Sequence, residues 1–177
     1  MQYLLNFIYL LLILALSPWL VYRALTTGKY RKGMLSKFLG LAPTRASGRP
    51  CVWFHAVSVG EVLLLRQVIA RFRQRWTEWE CVLSTTTNTG FDIARKNYPD
   101  LCVFYCPLDF SWATRRAMAR VRPSLLVLAE LELWPNLIGE AKRTGLEYTF
   151  QAFGQRSMET KIRQTQNEQS STRNHQV

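Results

Sequence analysis

The longest apolar run comes first in the chain. Residues 4–22 (LLNFIYLLLILALSPWLVY) hold no charged side chain, and only Asn6, Ser17 and Pro18 weaken the run. A helix needs roughly 20 such residues to cross a hydrocarbon layer, so the run predicts a membrane anchor over residues 1–25. No Lys or Arg precedes it and no small-x-small site follows, which argues against a cleaved signal peptide. Trp19 and Tyr22 stand where interfacial aromatics belong. After residue 50 the pattern alternates between short β-rich runs and helical stripes. Strands are expected at 51–57 (CVWFHAV), 81–86, 101–106 and 124–130, and helices at 61–76, 90–98, 111–121 and 135–144. In the first helix Leu65, Val68, Ile69, Phe72 and Trp76 share one stripe, with the arginines largely off it.

Strand–helix alternation with short connections predicts an α/β fold: a parallel sheet with helices on both faces. Groups that act in such folds gather at the carboxyl ends of the strands. Residues 26–49 read as a basic linker, 50–153 as the sheet domain and 154–177 as a polar tail. That tail has too few apolar side chains to offset the entropy of ordering and is expected to be disordered.

The net charge is +11. Arg23, Lys29, Arg31, Lys32, Lys37, Arg45 and Arg49 follow the apolar run, and no Asp or Glu occurs before Glu61. This flank places the sheet domain on the cytoplasmic side of a single span, and it can also hold anionic headgroups. Nucleic acid is excluded as a partner, because the charge sits beside the anchor and no aromatic-basic binding motif is evident. Cys51, Cys81, Cys102 and Cys106 fall in the expected buried strands and read as reduced core residues. Together with His55, Cys102 and Cys106 match no zinc spacing, so no metal and no cofactor is expected.

Three strand ends carry polar constellations. His55-Ala-Val-Ser58-Val-Gly60-Glu61 closes the first strand. Gly60 allows a tight turn there, and Glu61 opens the helix, either as a helix-start acid or as a general base. Ser84-Thr85-Thr86-Thr87-Asn88-Thr89-Gly90 closes the second, and its hydroxyls and amides suit a phosphate or a sugar, or only a helix cap. Glu130-Leu131-Glu132-Leu133-Trp134-Pro135-Asn136 closes the fourth. Its two carboxylates share a side if the strand runs through them, and Trp134 offers a stacking surface, or the pair is only one solvated acid and one helix cap.

HAVSVGE, TTTNTG, PLDF (107–110) and ELELWPNLI occur in the order and spacing of the Kdo transferases, the 3-deoxy-D-manno-octulosonic acid transferases, and over residues 1–145 the chain resembles their acceptor-side part. The resemblance implies a two-domain GT-B glycosyltransferase at the inner membrane that moves Kdo from CMP-Kdo to the lipid A precursor. It implies Glu61 as the catalytic base. It also implies acceptor-binding or supporting roles for Ser58, Gly60, Thr86, Thr87, Thr89, Gly90, Glu130, Glu132, Trp134 and Asn136. Asn88 stands where the family shows Pro, and Ala129 where it shows Met. The family's donor-side motifs are absent, which leads to the expectation of a chain without its second domain. A catalytically silent fragment and an unrelated anion-binding module are the alternatives.

Overall fold

The structure is a computed structural model that describes residues 2–27, 33–129 and 134–150. Among these residues, five strands form one sheet: β1 (Cys51–Ala56), β2 (Glu80–Thr85), β3 (Cys102–Tyr105), β4 (Leu125–Leu128) and β5 (Glu147–Phe150). Six helices accompany them: α1 (Gln2–Thr27), α2 (Met34–Leu39), α3 (Val59–Arg75), α4 (Asn88–Asn97), α5 (Ser111–Val121) and α6 (Pro135–Arg143). The strand order is β3-β2-β1-β4-β5, and every pairing is parallel.

The period-two geometry of a strand sends alternate side chains to opposite faces, and β1 uses both. Val52, Phe54 and Ala56 pack with Val62, Leu65, Ile69 and Phe72 of α3 and with Ala94 of α4. Cys51 and Trp53 pack instead with Ala117, Met118 and Val121 of α5 and with Leu137 and Ala141 of α6. All six residues of β1 are buried, as a middle strand covered on both faces must be. Each large apolar side chain so covered contributes roughly 1.5–3 kcal/mol. The expected stripe of α3 is the buried one, except that Val68 is only partly covered.

The basic segment 33–49 is knitted to the domain. Arg45 Nε donates to Glu80 Oε2 at 2.7 Å, and its other nitrogens reach the carbonyls of Val121, Arg122 and Arg49. Arg49 reaches the carbonyls of Glu78 and Thr77. Lys37, on α2, donates from Nζ to the Thr86 carbonyl at 2.7 Å.

Three expectations are corrected. Among the described residues no helix is long and apolar enough to cross a membrane, so the single-pass anchor over 1–25 is not found. The physical reason lies in the polar members of α1. Asn6 exchanges hydrogen bonds with Ser111, and Tyr9 donates to Asp109, which docks this part of α1 on the domain. Cys102 is exposed rather than buried, because β3 is an edge strand. The fourth strand stops at Leu128, short of Glu130 and Glu132, which lie outside the described residues. The polar tail 154–177 also lies outside them.

Candidate functional site

The strand order reverses beside β1. The chain runs β1, β2, β3 to one side and then returns to place β4 on the other. At such a switch point the loops leaving the two middle strands diverge and open a crevice at their carboxyl ends. His55 and the Val57–Glu61 turn leave β1 here, and Trp134 follows β4.

Glu61 is built into the turn. Ser58 caps α3: the Glu61 N–H donates to Ser58 Oγ at 3.3 Å, and Glu61 Oε1 accepts the Ser58 N–H at 3.0 Å. Glu61 Oε2 accepts the Val57 N–H at 2.8 Å. This reciprocal capping box satisfies donors that the helix cannot reach itself. Glu61 is therefore buried, with 6% exposure, and each oxygen keeps one lone pair not taken by the backbone. Gly60 is not the tight-turn glycine expected from sequence. It is helical without positive φ, and an added Cβ would meet only Ser58 Oγ, at 3.8 Å.

Gly90 carries the steric demand instead. A Cβ there would lie 2.5 Å from Thr85 Oγ1 and 2.8 Å from Thr87 Oγ1. Thr87 caps α4 by accepting the Gly90 N–H, and both threonine hydroxyls donate to the Val57 carbonyl. The ends of β1 and β2 are tied together through these bonds. Gly90→Ala is expected to destabilise the chain by about 2 kcal/mol through overpacking. A thermal midpoint equal to that of the native chain would show the contact to be slack. Thr89 is exposed on the first turn of α4, and Thr86 Oγ1 is buried without a partner.

Asp109, from the PLDF motif, holds the start of α6. Its carboxylate accepts the N–H groups of Asn136 and Leu137 at 3.0 and 2.9 Å, a favourable place for an anion. Burial raises its pKa and outweighs those bonds, which lower it. Asn136 Nδ2 donates to the Asp109 carbonyl at 2.5 Å, so Asn136 is a structural member of this node. Trp134, half-buried, meets the His55 ring edge-on at 5.4 Å between centroids. It also lines a cleft of about 510 Å³ with Tyr9, Leu12, Ile13, Leu108, Asp109 and Phe110.

Ser58, Glu61, Thr87, Gly90, Trp134 and Asn136 thus converge on the carboxyl edge of the sheet, together with Thr86 and Gly60. Sequence reasoning missed the parts played by Lys37, Tyr9, Asp109 and Ser84. For Asp109 a signal existed, since it sits inside a motif already singled out. Among the described residues no three His, Cys, Asp or Glu side chains cluster to hold a metal ion.

Fold and site define a doubly wound α/β module whose polar constellations lie at the carboxyl ends of its strands. A family model described as 3-Deoxy-D-manno-octulosonic-acid transferase (kdotransferase) matches residues 31–158, and the chain belongs to this family. The 3-deoxy-D-manno-octulosonic acid transferase of Chlamydia pneumoniae is 40% identical over 131 residues, covering 72% of this chain and 30% of the relative. The enzyme of the same name from Haemophilus influenzae is 33% identical over 88 residues, covering 49% of this chain and 21% of the relative. The chain thus spans about 30% of the length of the first of these. A crystal structure of Acinetobacter baumannii MurG aligns with TM-score 0.45 at 11% identity, covering 58% of this chain and 34% of that one.

Proposed function

We propose that this chain supplies the acceptor-side wall of a two-domain GT-B glycosyltransferase that transfers Kdo from CMP-Kdo to a hydroxyl of the lipid A precursor. The observation that carries the reading is the pairing of two unlike surfaces. A polar strand-end crevice adjoins a largely apolar cleft, and Trp134 belongs to both. An amphiphile with a sugar head and acyl chains matches that pairing. On α1, Leu4, Phe7, Leu11 and Leu14 are exposed at helical spacing, a face suited to lipid at the cytoplasmic side of the inner membrane.

The chemistry is a single inverting displacement. The acceptor oxygen attacks the anomeric carbon of Kdo, and the bond from that carbon to the CMP phosphate oxygen breaks. CMP leaves with the electron pair, and the acceptor proton goes to Glu61. The two backbone N–H groups on Glu61 hold its carboxylate fixed while the remaining lone pairs accept the proton. Ser58, Thr87 and Gly90 set the turn that aims it. Thr86, Thr89, Gly60 and Asn136 support the acceptor site, and Glu130 and Glu132 are the acidic pair that the family resemblance adds.

Donor and acceptor must meet in near-attack geometry, an alignment that supplies roughly 7–11 kcal/mol of a barrier. Residues 1–177 with CMP-Kdo and lipid A precursor are therefore expected to give no steady turnover. Adding the C-terminal part of a relative in trans is expected to give product, read as mass gain on the lipid. Turnover by residues 1–177 alone would refute the two-domain reading.

A further inference from the structure

On the acceptor reading above, we propose that His55 contacts the acceptor directly: its Nε2 hydrogen-bonds a sugar hydroxyl at the switch point between β1 and β4. His55 is 2% exposed, and Nε2 has no partner. Buried polar atoms in folded proteins are nearly always paired, so an orphan asks for a missing partner. The orphans are not scattered. Thr86 Oγ1 follows β2 and Asn136 Oδ1 follows β4, while His55 Nε2 stands near the end of β1. Among the described residues the one other orphan, Trp79 Nε1, lies at the opposite edge, just before β2 begins.

Ser84 engages one side of the ring. Trp53 Nε1 can only donate, and it donates to Ser84 Oγ at 2.7 Å. His55 Nδ1 lies 2.9 Å from Ser84 Oγ and 3.3 Å from the Ser84 carbonyl. Nδ1 is thereby engaged in either tautomer, and Nε2 is the ring nitrogen left unused. Trp53, His55 and Ser84 form a relay on the sheet face covered by α5 and α6, and the relay ends at Nε2. Burial pushes the His55 pKa down to about 4, against the Ser84 carbonyl and the Glu61 charge, which both raise it. The ring is neutral at physiological pH, so it offers a hydrogen bond and not a charge. A sugar hydroxyl both donates and accepts, so it suits the uncharged Nε2 in either tautomer, whereas a phosphate gains most from a cation. Trp134 meets the imidazole edge-on and lines the apolar cleft, so its ring shifts to admit the hydroxyl while the acyl part stays in the cleft.

The test titrates the full chain in detergent micelles with lipid A precursor, comparing the native protein with His55→Phe and His55→Gln. Phe keeps the ring volume without the nitrogens and is expected to weaken binding about tenfold, with a thermal midpoint lowered because Ser84 loses its partner at Nδ1. Gln places an amide, which can donate from its NH₂ or accept at its oxygen, near the Nε2 position and is expected to restore most of the affinity. In the native chain, saturating lipid is expected to shift the Nε2 nitrogen resonance. Equal binding by the native protein and His55→Phe overturns the His55 contact and leaves the acceptor reading standing. Failure of the native chain to bind the lipid overturns both. If His55→Phe does not fold, an Nε2 resonance unmoved by saturating lipid overturns the contact by itself.

Discussion

Glu61→Gln in a complete two-domain enzyme is expected to cut Kdo transfer by about 10²–10⁴-fold, the range lost with a general base. The same change is expected to lower the stability of the present chain by about 1–2 kcal/mol. The carboxylate accepts N–H bonds at both oxygens. A Gln amide offers one oxygen and turns an NH₂ toward the second N–H, so one buried donor loses its partner. Ser58→Ala separates the two roles. It removes the other half of the capping box, at about 1 kcal/mol, and leaves the carboxylate in place. Activity should fall far more for Glu61→Gln than for Ser58→Ala at matched stability. Equal activity losses would return Glu61 to a helix cap. Transfer rates and thermal midpoints measured on both variants decide.

Acid is expected to destabilise the fold through His55 by about 3 kcal/mol between pH 6.5 and 4. The His55 pKa falls from 6.5 to about 4 on folding because the ring is buried. Within that window the unfolded chain binds a proton at this position and the fold does not, so stability drops as pH falls. Below about pH 4 both states are protonated and His55 contributes no further loss. Asp109 acts with the opposite sign. Burial raises its pKa, so the fold takes up that proton at a higher pH than the unfolded chain does, and acid favours the fold there. Denaturant titrations of the native chain and His55→Phe across this window isolate the His55 part. The variant should show a flatter pH dependence, and identical slopes would contradict the burial of a neutral imidazole.

The α/β architecture was legible because β1, α3 and α5 are strongly patterned and their buried faces follow the period of each element. Boundaries moved by a residue or two. The fourth strand ends at Leu128, two residues before the expected end, because apolar and acidic residues alternate straight through that stretch and blur its boundary. β5 was not read at all, since Glu147–Phe150 is short and runs into a polar stretch. The strand-end turns were legible as motifs but not as mechanisms. Spacing alone could not say that Glu61 binds two backbone N–H groups, or that Gly90 rather than Gly60 is the glycine with no room for a side chain. Tyr9 and Asn6 were hidden for a different reason. One-dimensional hydropathy averages over them, while in three dimensions they dock α1 on Asp109 and Ser111, about a hundred positions away. Ser84 had no reason to stand out beside its threonine neighbours until Trp53 and His55 were seen to share it.

The most direct test of the acceptor-side assignment is calorimetric titration of residues 1–177 in detergent micelles, once with lipid A precursor and once with CMP. Saturable binding of the lipid with no heat from CMP is the expected result. Binding of CMP without binding of the lipid would contradict the assignment and place this module on the donor side.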